Sequence, residues 1–298
     1  MRARREIDRE AIEHHYDLSN DFYSLFLDER MVYTCAYFRG PDVDLDTAQA
    51  DKLELVCRKL RLRPGDTLLD VGCGWGSLAL WAAKHHGARV LGVTLSAEQA
   101  RFAQETIARE GLAERCSVEC RDWRDTAGRG PFDRIAALGI VEHVGIANYP
   151  AFFRQLHDLL RAGGLLLNHG ITRDHAWRHT PQWDFILAHV FPNGELDTLS
   201  HTCLEIEAAG LEILDVEGLR AHYARTCRLW VERLRANEGR AIELVGRRRY
   251  RTWLLYLTSA SVGFEERSIG LHQVLARRPD PASDLDLVTR DEVYAPAK

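Results

Sequence analysis

The first feature that suggests chemistry is a glycine-rich loop, Asp70–Gly76 (DVGCGWG), between an apolar segment and a helix-like one. Glycines at alternate positions let the backbone turn tightly and approach a ligand at a helix N-terminus. The loop therefore predicts a nucleotide-containing ligand, with Gly72, Gly74 and Gly76 as candidate binding residues. Asp70 stands at the end of the preceding strand, where it would either order the loop or meet a cationic group of the ligand.

The segment that follows the second strand narrows the choice of ligand. Enzymes that bind dinucleotides carry an acidic residue there, which holds the ribose. This chain has Val90–Ser96 (VLGVTLS) without an acid, which counts against a nicotinamide cofactor. Thr94 and Gln99, with Leu95 between them, are expected to bind the ligand through uncharged hydrogen-bonding groups instead. Asp122-Trp123 follows the third strand, where the carboxylate can accept a hydrogen bond from an adenine amino group and the indole can stack on the ring.

Alternating strands and helices must position these residues. Five strands are predicted, at Thr67–Val71, Arg89–Val93, Cys116–Cys120, Phe132–Leu138 and Leu165–His169. Helices are predicted between them and before them, at Ile7–Leu27, Thr47–Leu60, Trp75–His86, Ala97–Glu110 and Tyr149–Leu160, the last of these ending near Gly163-Gly164. This alternation predicts a parallel α/β sheet covered on both faces.

The second half of the chain is less regular. Thr172–Leu204 is rich in His, Trp and Pro, and Ala221–Phe264 is expected to be mostly helical. Late strands are predicted at Leu211–Val216 and Ile269–Leu275. We expect one domain over 1–298, with a helical cap at 1–62, a cofactor-binding core at 63–170, and helical substrate-side additions with the last strands at 171–298.

Composition excludes several classes of protein. The chain has 298 residues, 46% of them hydrophobic, and a net charge of -5, which does not favour a nucleic-acid partner. Its seven cysteines form no CxxC pair, and no apolar signal region begins the sequence, so a cytoplasmic location is expected. No segment reaches the length of about 20 apolar residues that a membrane span needs. His175 and His179 lack a third ligand motif, so no metal site is expected.

Charge is distributed unevenly near the C-terminus. Arg220–Arg251 contains ten arginines and only three glutamates, whereas the tail from Asp280 onward is acidic. Either both are ordinary solvated surfaces, or the arginines form a basic face for an acidic partner such as phospholipid headgroups or an acyl carrier protein. The first case is typical of exposed helices, and the second would allow peripheral contact with the inner face of a membrane.

Several motifs together resemble the cyclopropane-fatty-acyl-phospholipid synthase and mycolic acid cyclopropane synthase family. Tyr33–Phe38 (YTCAYF) is similar to its Tyr-Ser-Cys-(Gly/Ala)-Tyr motif, and Asp70–Gly76 matches its glycine loop. Gly92–Gln99 (GVTLSAEQ) matches its second-strand segment, which accounts for the missing acid. Further matches are His15–Phe22, Glu142–Gly145, Phe191–Gly194 and His222-Tyr223, so the resemblance extends from about His14 to Phe264.

The resemblance implies a class I Rossmann-like methyltransferase sheet with an N-terminal helical cap and helical insertions. It also implies S-adenosylmethionine as cofactor, with Tyr33 and Thr34 added to the cofactor-binding residues. The implied reaction is methylene transfer to the cis double bond of an unsaturated fatty acyl chain. An alkene is a poor nucleophile, so the reacting groups must be held in line in a dry site, and a base must remove a proton before the ring closes.

In the family the base is thought to be a bound bicarbonate ion, and its site carries over by motif to Cys35, Glu142, His169, Ile171 and Tyr223. The chain departs from the family at Gly170, where Leu-His-Thr-Ile is the commoner pattern around the histidine. It also lacks the cysteine that many members carry in the segment Thr258–Ser261, so a mechanism that needs a thiol there is excluded.

The resemblance leaves the acceptor open. Some relatives that act on membrane phospholipids have an extra N-terminal domain, which mycolic-acid relatives lack, and this sequence begins close to the first motif. An unsaturated phospholipid and a carrier-bound acyl chain are both expected candidates, and a homodimer is left open. Methyl-branched acyl products, methylation of a small molecule and a silent cofactor-binding or lipid-binding protein are the alternatives.

Overall fold

The computed structural model describes residues 18–192, 194–280, 282 and 289–294. Eight strands in these residues form one sheet, in the order β3-β2-β1-β4-β5-β8-β7, with β6 paired to β5. The strands are β1 Thr67–Val71, β2 Arg89–Thr94, β3 Cys116–Cys120, β4 Phe132–Leu138, β5 Leu160–Arg173, β6 Asp197–Thr198, β7 Glu212–Gly218 and β8 Ile269–Arg277.

Eleven α-helices in the described residues surround the sheet. They are α1 Asn20–Ser24, α2 Leu45–Lys59, α3 Ser77–His85, α4 Ala97–Arg109, α5 Val141–Val144, α6 Tyr149–Leu159, α7 Pro181–His189, α8 Leu199–Ala208, α9 Arg220–Ala236, α10 Glu238–Glu265 and α11 Asp291–Tyr294. Two clusters of buried apolar side chains include residues of the central strands and of the helices packed on them. A third cluster joins α1, α9 and α10 through aromatic residues such as Phe22, Trp230 and Trp253.

The mixed α/β sheet and the helical N-terminal region agree with the expected fold class. Strands β1 to β5 are parallel, and β1 is almost wholly buried because helices cover both faces of a parallel sheet. The strand order reverses between β1 and β4, so the loops after these two strands open a crevice at the edge of the sheet. The glycine loop begins on one side of this crevice, and Gly139 lies on the other.

The last strands depart from the parallel arrangement that the strand–helix alternation predicts for the first five. Strand β8 is antiparallel to both β5 and β7, because it enters the sheet directly from α10 and fills the space between them. The predicted end of α6 near Gly163-Gly164 is wrong. The helix ends at Leu159, and β5 begins at Leu160, which already pairs with Phe132 of β4.

Some boundaries and segments differ from prediction in other ways. The predicted helix Ile7–Leu27 lies partly outside the described residues, and its described part contains only α1, capped by Ser19. The long helix α10 contains Gly246 at φ +79°, which interrupts its helical geometry. In the described part of the chain, no helix combines the length and apolarity needed to cross a membrane.

Candidate active site

The glycine loop turns from β1 into α3 at positive φ angles. Gly72, Gly74 and Gly76 have φ values of +74°, +54° and +83°. A Cβ on Gly72 would lie 3.0 Å from Ile140, and one on Gly76 would lie 3.0 Å from Ala103. Other residues would strain the backbone at all three positions, and at Gly72 and Gly76 they would also crowd a neighbouring side chain. The loop borders a cavity of about 80 Å³, which Tyr33, Thr34 and Asp70 also line.

The end of β2 places uncharged polar groups on the other side of the loop. The Thr94 hydroxyl donates to Gln99 Oε1 at 2.8 Å, and Gln99 is held near the start of α4, where its N–H donates to Ser96 Oγ. Thr94, Leu95 and Gln99 line a second cavity of about 70 Å³ together with Gly72 and Gly74. The structure therefore brings the glycine loop and the end of β2 to one place.

Asp122 and Trp123 differ in how they face this second cavity. Trp123 lines it and packs edge-on against Phe152, with ring centroids 4.9 Å apart. Both carboxylate oxygens of Asp122 accept from the Arg124 guanidinium, at 2.8 and 2.6 Å, and Asp122 is not among the lining residues. The indole is thus positioned for stacking, whereas an adenine contact by Asp122 stays a prediction.

Asp70 is 2% exposed, and its Oδ2 has no hydrogen-bond partner. Burial raises the pKa of this carboxyl to about 7, while the charge of Lys52 acts in the opposite direction. Lys52 lines the same cavity, and sequence reasoning missed it. The available signal was its position on the buried face of α2, seven residues before the equally buried Lys59.

A larger cavity of about 530 Å³ adjoins the loop cavities. Its walls come from six parts of the chain that are far apart in sequence: residues 33–34, residues 139–143, the end of β5, the segment 177–196, α9, and residues 256–269. Most of its surface is apolar, and the aromatic residues lining it include Tyr33, Trp177, Trp183, Phe191, Tyr223, Tyr256 and Phe264.

Glu142 is the buried carboxyl of this larger cavity. Its Oε1 accepts from the Ile171 N–H at 2.7 Å, whereas its Oε2 is buried without a hydrogen-bond partner. Burial raises the pKa of Glu142 to about 7, and the bond from Ile171 partly offsets this shift. Ile171 and Tyr223 also line the cavity, and Tyr223 stacks on Phe264 with ring centroids 4.5 Å apart.

His169 and Cys35 are not among the residues that line the cavities. His169 is 1% exposed; its Nδ1 lies 3.1 Å from Gln273 Nε2, and its Nε2 has no partner. Burial lowers the pKa of His169 to about 3, so the imidazole is neutral. Cys35 is fully buried, and its Sγ lies 3.2 Å from the Ala36 carbonyl and 3.8 Å from that of Leu219. Of the five expected catalytic residues, three therefore line one cavity and two lie outside its lining.

Gly170, the departure from the family pattern beside His169, lies tightly against α5. A Cβ built there would lie 2.5 Å from Val141 Cγ2. Val141 is buried and directly precedes Glu142. The close approach of β5 to α5 at this point thus depends on the missing side chain.

Gly139 connects the three cavities, because it lines all of them. His143 lines the large cavity and the one beside Trp123, and burial lowers its pKa to about 4. Tyr33 and Thr34 line the large cavity and the loop cavity. Gly139 and His143 were not among the expected site residues, although His143 stands inside the quoted motif Glu142–Gly145.

Other sequence features have less to do with the site. His175 and His179 lie outside the helices, so their spacing does not place them on one helical face. Cys227 was missed, and its thiol side chain lines the large cavity together with Thr258 and Ser259 from the segment that lacks the family cysteine. The start of the motif His15–Phe22 and Asn193 of the motif Phe191–Gly194 lie outside the described residues.

Comparisons with known proteins agree on the family. The sequence profile of mycolic acid cyclopropane synthetases matches residues 3–274. A probable fatty acid methyltransferase of Pseudomonas putida is 46% identical over 291 residues, which cover 96% of this chain and 74% of the relative. A second probable fatty acid methyltransferase, from Mycobacterium tuberculosis, is 45% identical over 95% of this chain, which spans 66% of that relative's length.

A solved structure gives the same result. The crystal structure of mycolic acid cyclopropane synthase CmaA1 complexed with SAH and CTAB has a TM-score of 0.86 and 37% identity to this chain. The match covers 90% of this chain and 98% of that one. The unpartnered Asp70 oxygen and the glycine loop suit a cofactor with a cationic amino acid end. The chain belongs to the mycolic acid cyclopropane synthetase family, and it is an S-adenosylmethionine-dependent methyltransferase.

Proposed function

We propose that this enzyme transfers a methylene group to the cis double bond of an unsaturated fatty acyl chain and forms a cyclopropane ring. The observation that carries the proposal is the unpartnered Glu142 Oε2 in a large, mainly apolar cavity that meets the cofactor side at Gly139. An acyl chain fits an apolar cavity, and a buried carboxyl with an unpartnered oxygen is suited to handling a proton or a bound anion. The relatives' names, which refer to fatty acids and to cyclopropane synthesis, support the same class of acceptor.

The cofactor supplies a methyl group activated by a positively charged sulfur. The residues of the chain keep the alkene dry and aligned with that group, because water would compete for the reactive cation. Carbon–carbon bond formation leaves a carbocation on the acyl chain. The aromatic rings of Tyr33, Tyr223 and Tyr256 line the cavity, and their faces stabilise positive charge.

Ring closure requires loss of a proton from the newly attached methyl group. We infer that Glu142, His169 and Tyr223 hold a bicarbonate ion, which would supply the base. Gln273 donates to His169 Nδ1 in the assigned amide orientation, so the proton of the neutral imidazole is on Nε2 and can be donated to an anion. Cys35 and Ile171, the other two residues of the expected site, complete its surroundings.

We further propose that the acyl chain is presented on a phospholipid. Arg247, Arg248, Arg249 and Arg251 of α10 are exposed, and none has an ion pair or a side-chain hydrogen bond within the described residues. One turn later Leu255 is 51% exposed, and the same helix continues into the cavity wall. Guanidinium groups beside an exposed leucine fit the boundary between anionic headgroups and acyl chains. The enzyme would then act in the cytoplasm, at the inner membrane surface.

The proposed unit is a single methyltransferase domain over 1–298. Strands β7 and β8, from the substrate-side part of the chain, belong to the same sheet as β1 of the cofactor-binding core. The cap, in turn, supplies Tyr33 and Thr34 to the cavities of the core. Each part thus depends on the others to complete the site.

The test is mass spectrometry of monounsaturated phospholipid vesicles after incubation with enzyme, S-adenosylmethionine and bicarbonate. We expect a gain of one methylene, about 14 Da, in a product that resists hydrogenation, and more product with phosphatidylglycerol than with phosphatidylcholine alone. Glu142→Gln should reduce turnover by about 10²-fold or more, because an amide cannot exchange a proton with the bound anion as a carboxyl group can. Glu266→Gln, which alters an exposed carboxyl of the same cavity, is the matched control and should retain activity.

Other products would change the proposal. A product that has gained 14 Da but still takes up hydrogen contains a double bond and no ring, which would indicate a methyl-branched chain. Equal activity on neutral vesicles would show that the arginines have no role in binding the membrane. No gain in lipid mass while cofactor still binds would exclude phospholipid as the acceptor. Carrier-bound acyl chains and small amines would then be tested.

A further inference from the structure

Lys52 is a buried cation beside the glycine loop. Its side chain is 1% exposed, and it lines the cavity of about 80 Å³ that Asp70, Gly72 and Gly74 also border. Its Nζ donates one hydrogen bond, to Thr34 Oγ1 at 3.0 Å. A lysine ammonium has three N–H donors, so two of them have no acceptor within the described residues.

Lys52 forms no close ion pair with the carboxylates around it. No carboxylate oxygen of the described residues lies within 4.0 Å of its Nζ. Asp28 uses its two oxygens to accept from the backbone N–H groups of Val32 and Arg30, at 2.7 and 3.2 Å. Asp70 lines the cavity with an unpartnered Oδ2. A buried charge is costly unless it is paired, so this cavity holds one cation and one anion that are both short of partners.

The amino acid end of S-adenosylmethionine carries the complementary pair, an ammonium and a carboxylate on one carbon atom. Asp70 suits the ammonium, which leaves the carboxylate without an assigned partner. We propose that Lys52 binds this carboxylate, with Thr34 Oγ1 holding the lysine ammonium in position. The inference rests on the cofactor of the family and not on the identity of the acceptor.

The surroundings favour Lys52 over other donors. Among the described residues that line this cavity, Lys52 is the one basic side chain. The Ser77 hydroxyl donates to the Arg30 carbonyl at 2.6 Å, and the hydroxyls of Tyr33 and Tyr256 lie 3.3 Å apart. Burial lowers the pKa of Lys52 to about 8, which is consistent with an ammonium that lacks a bound anion.

The test compares the affinities of S-adenosylmethionine and its decarboxylated analogue by calorimetry, without any acceptor. Both ligands carry the sulfonium and an ammonium, so their ratio isolates the carboxylate. We expect the wild-type protein to prefer S-adenosylmethionine by at least about tenfold, as for a charge-assisted contact. Lys52→Met should reduce that preference to within about twofold, whereas Lys52→Arg should keep part of it.

Lys59→Met is the matched control. Lys59 is the other buried lysine of α2, but it pairs with Glu217 and does not line the cavity. This variant should keep the wild-type preference. A preference that survives in folded Lys52→Met overturns the proposal. Equal affinity of the two ligands for the wild-type protein also overturns it, and this comparison needs no variant to fold. Since no acceptor is present, neither outcome bears on the proposed reaction.

Discussion

The two small cavities beside the glycine loop, which we assign to the cofactor, meet the larger cavity, which we assign to the acceptor, at Gly139. These cofactor cavities and this acceptor cavity differ in size and in the chain segments that form them. The two cofactor cavities measure about 80 and 70 Å³ and are bordered mainly by the loops after β1 and β2. The acceptor cavity measures about 530 Å³ and draws on segments from residue 33 to residue 269. One of its walls, α7, contains no buried residue.

The difference follows from how each part of the site recognises its ligand; we call the part around the two small cavities the cofactor half and the part around the larger cavity the acceptor half. The cofactor is the same molecule in every turnover, so close backbone contact at positive-φ glycines can define its position. An acyl chain is recognised by apolar area, which depends little on the exact position of each side chain. Substitutions near Gly139 should therefore affect both halves, and substitutions in α7 should affect only the acceptor half.

The largest effect is expected for Gly139→Ala. Gly139 has φ +67°, and an added Cβ would lie 3.2 Å from Thr34 Cγ2, where the cavities meet. We expect turnover to fall by about 10²-fold, because a displacement of about 1 Å between reacting groups has this effect. Gly111→Ala is the control, since Gly111 has φ +68° with no atom within 4 Å of the new Cβ. Equal loss of turnover in both variants would show that backbone strain alone is responsible.

An intermediate effect is expected on stability when Glu142 is replaced by Gln. Burial raises the pKa of Glu142 from 4.5 to about 7, so the folded protein favours the protonated form. The stability that this gives is complete below about pH 4.5 and is lost as the pH rises through 7. At pH 8 the variant should therefore be more stable than wild type by about 1–3 kcal/mol.

Urea unfolding at pH 5, 6, 7 and 8, in buffer free of bicarbonate, measures this difference. The gain in free energy of unfolding should shrink as the pH falls toward 5. A gain that does not change with pH would mean that the substitution acts through packing and not through the charge of the carboxyl. The charge of Glu142 would then make no measurable contribution to the free energy of unfolding.

The smallest effect on stability is expected for Trp183→Ala in α7. Trp183 is half-buried and lines the acceptor cavity, but it belongs to no buried cluster. KM for the lipid should rise about 5- to 10-fold, since part of an apolar wall is lost. The free energy of unfolding should change by about 0.5 kcal/mol or less, and the affinity for S-adenosylhomocysteine should not change.

Trp230→Ala provides the contrast. Trp230 of α9 is 1% exposed within the aromatic cluster, so its truncation should cost about 3–5 kcal/mol. A similar loss of stability for Trp183→Ala would contradict the view of α7 as a loosely packed wall. Thermal unfolding and initial-rate kinetics on both variants decide between these outcomes.

The cofactor half could be predicted from sequence because its signals are local. Strands β1, β3 and β4 have their predicted bounds, and the glycine loop correctly predicts the turn that follows β1. The predicted helix Ala97–Glu110 is followed by Gly111, which lies just beyond α4 at φ +68°, a conformation typical of a glycine at a helix C-terminus. In each case the residues that determine the conformation are adjacent in the chain, so long-range contacts do little to change the local structure.

The acceptor half could not be predicted in the same way. Helix α7 begins with Pro181 after the Thr180 cap, but its apolar residues do not form a buried face, so no helical period marks it. Tyr256, Cys227 and His143 meet only because of the tertiary fold. Tyr256 and Cys227 lie outside the family motifs, and His143 lies inside one of them but was not among the expected site residues. Strand β8 was foreseen as a strand, whereas its antiparallel direction depends on the path of α10.

The tight contact between Gly170 and Val141 also constrains how this sequence can change over evolutionary time. A residue with a side chain does not fit at position 170 unless Val141 moves, because its Cβ would lie 2.5 Å from Val141 Cγ2. A larger residue at position 170 is therefore expected to require a smaller residue at position 141 or a shift of the Val141 side chain. Without such a change, α5, and with it Glu142, would be pushed away from β5. The two positions are therefore expected to vary together among descendants of this protein.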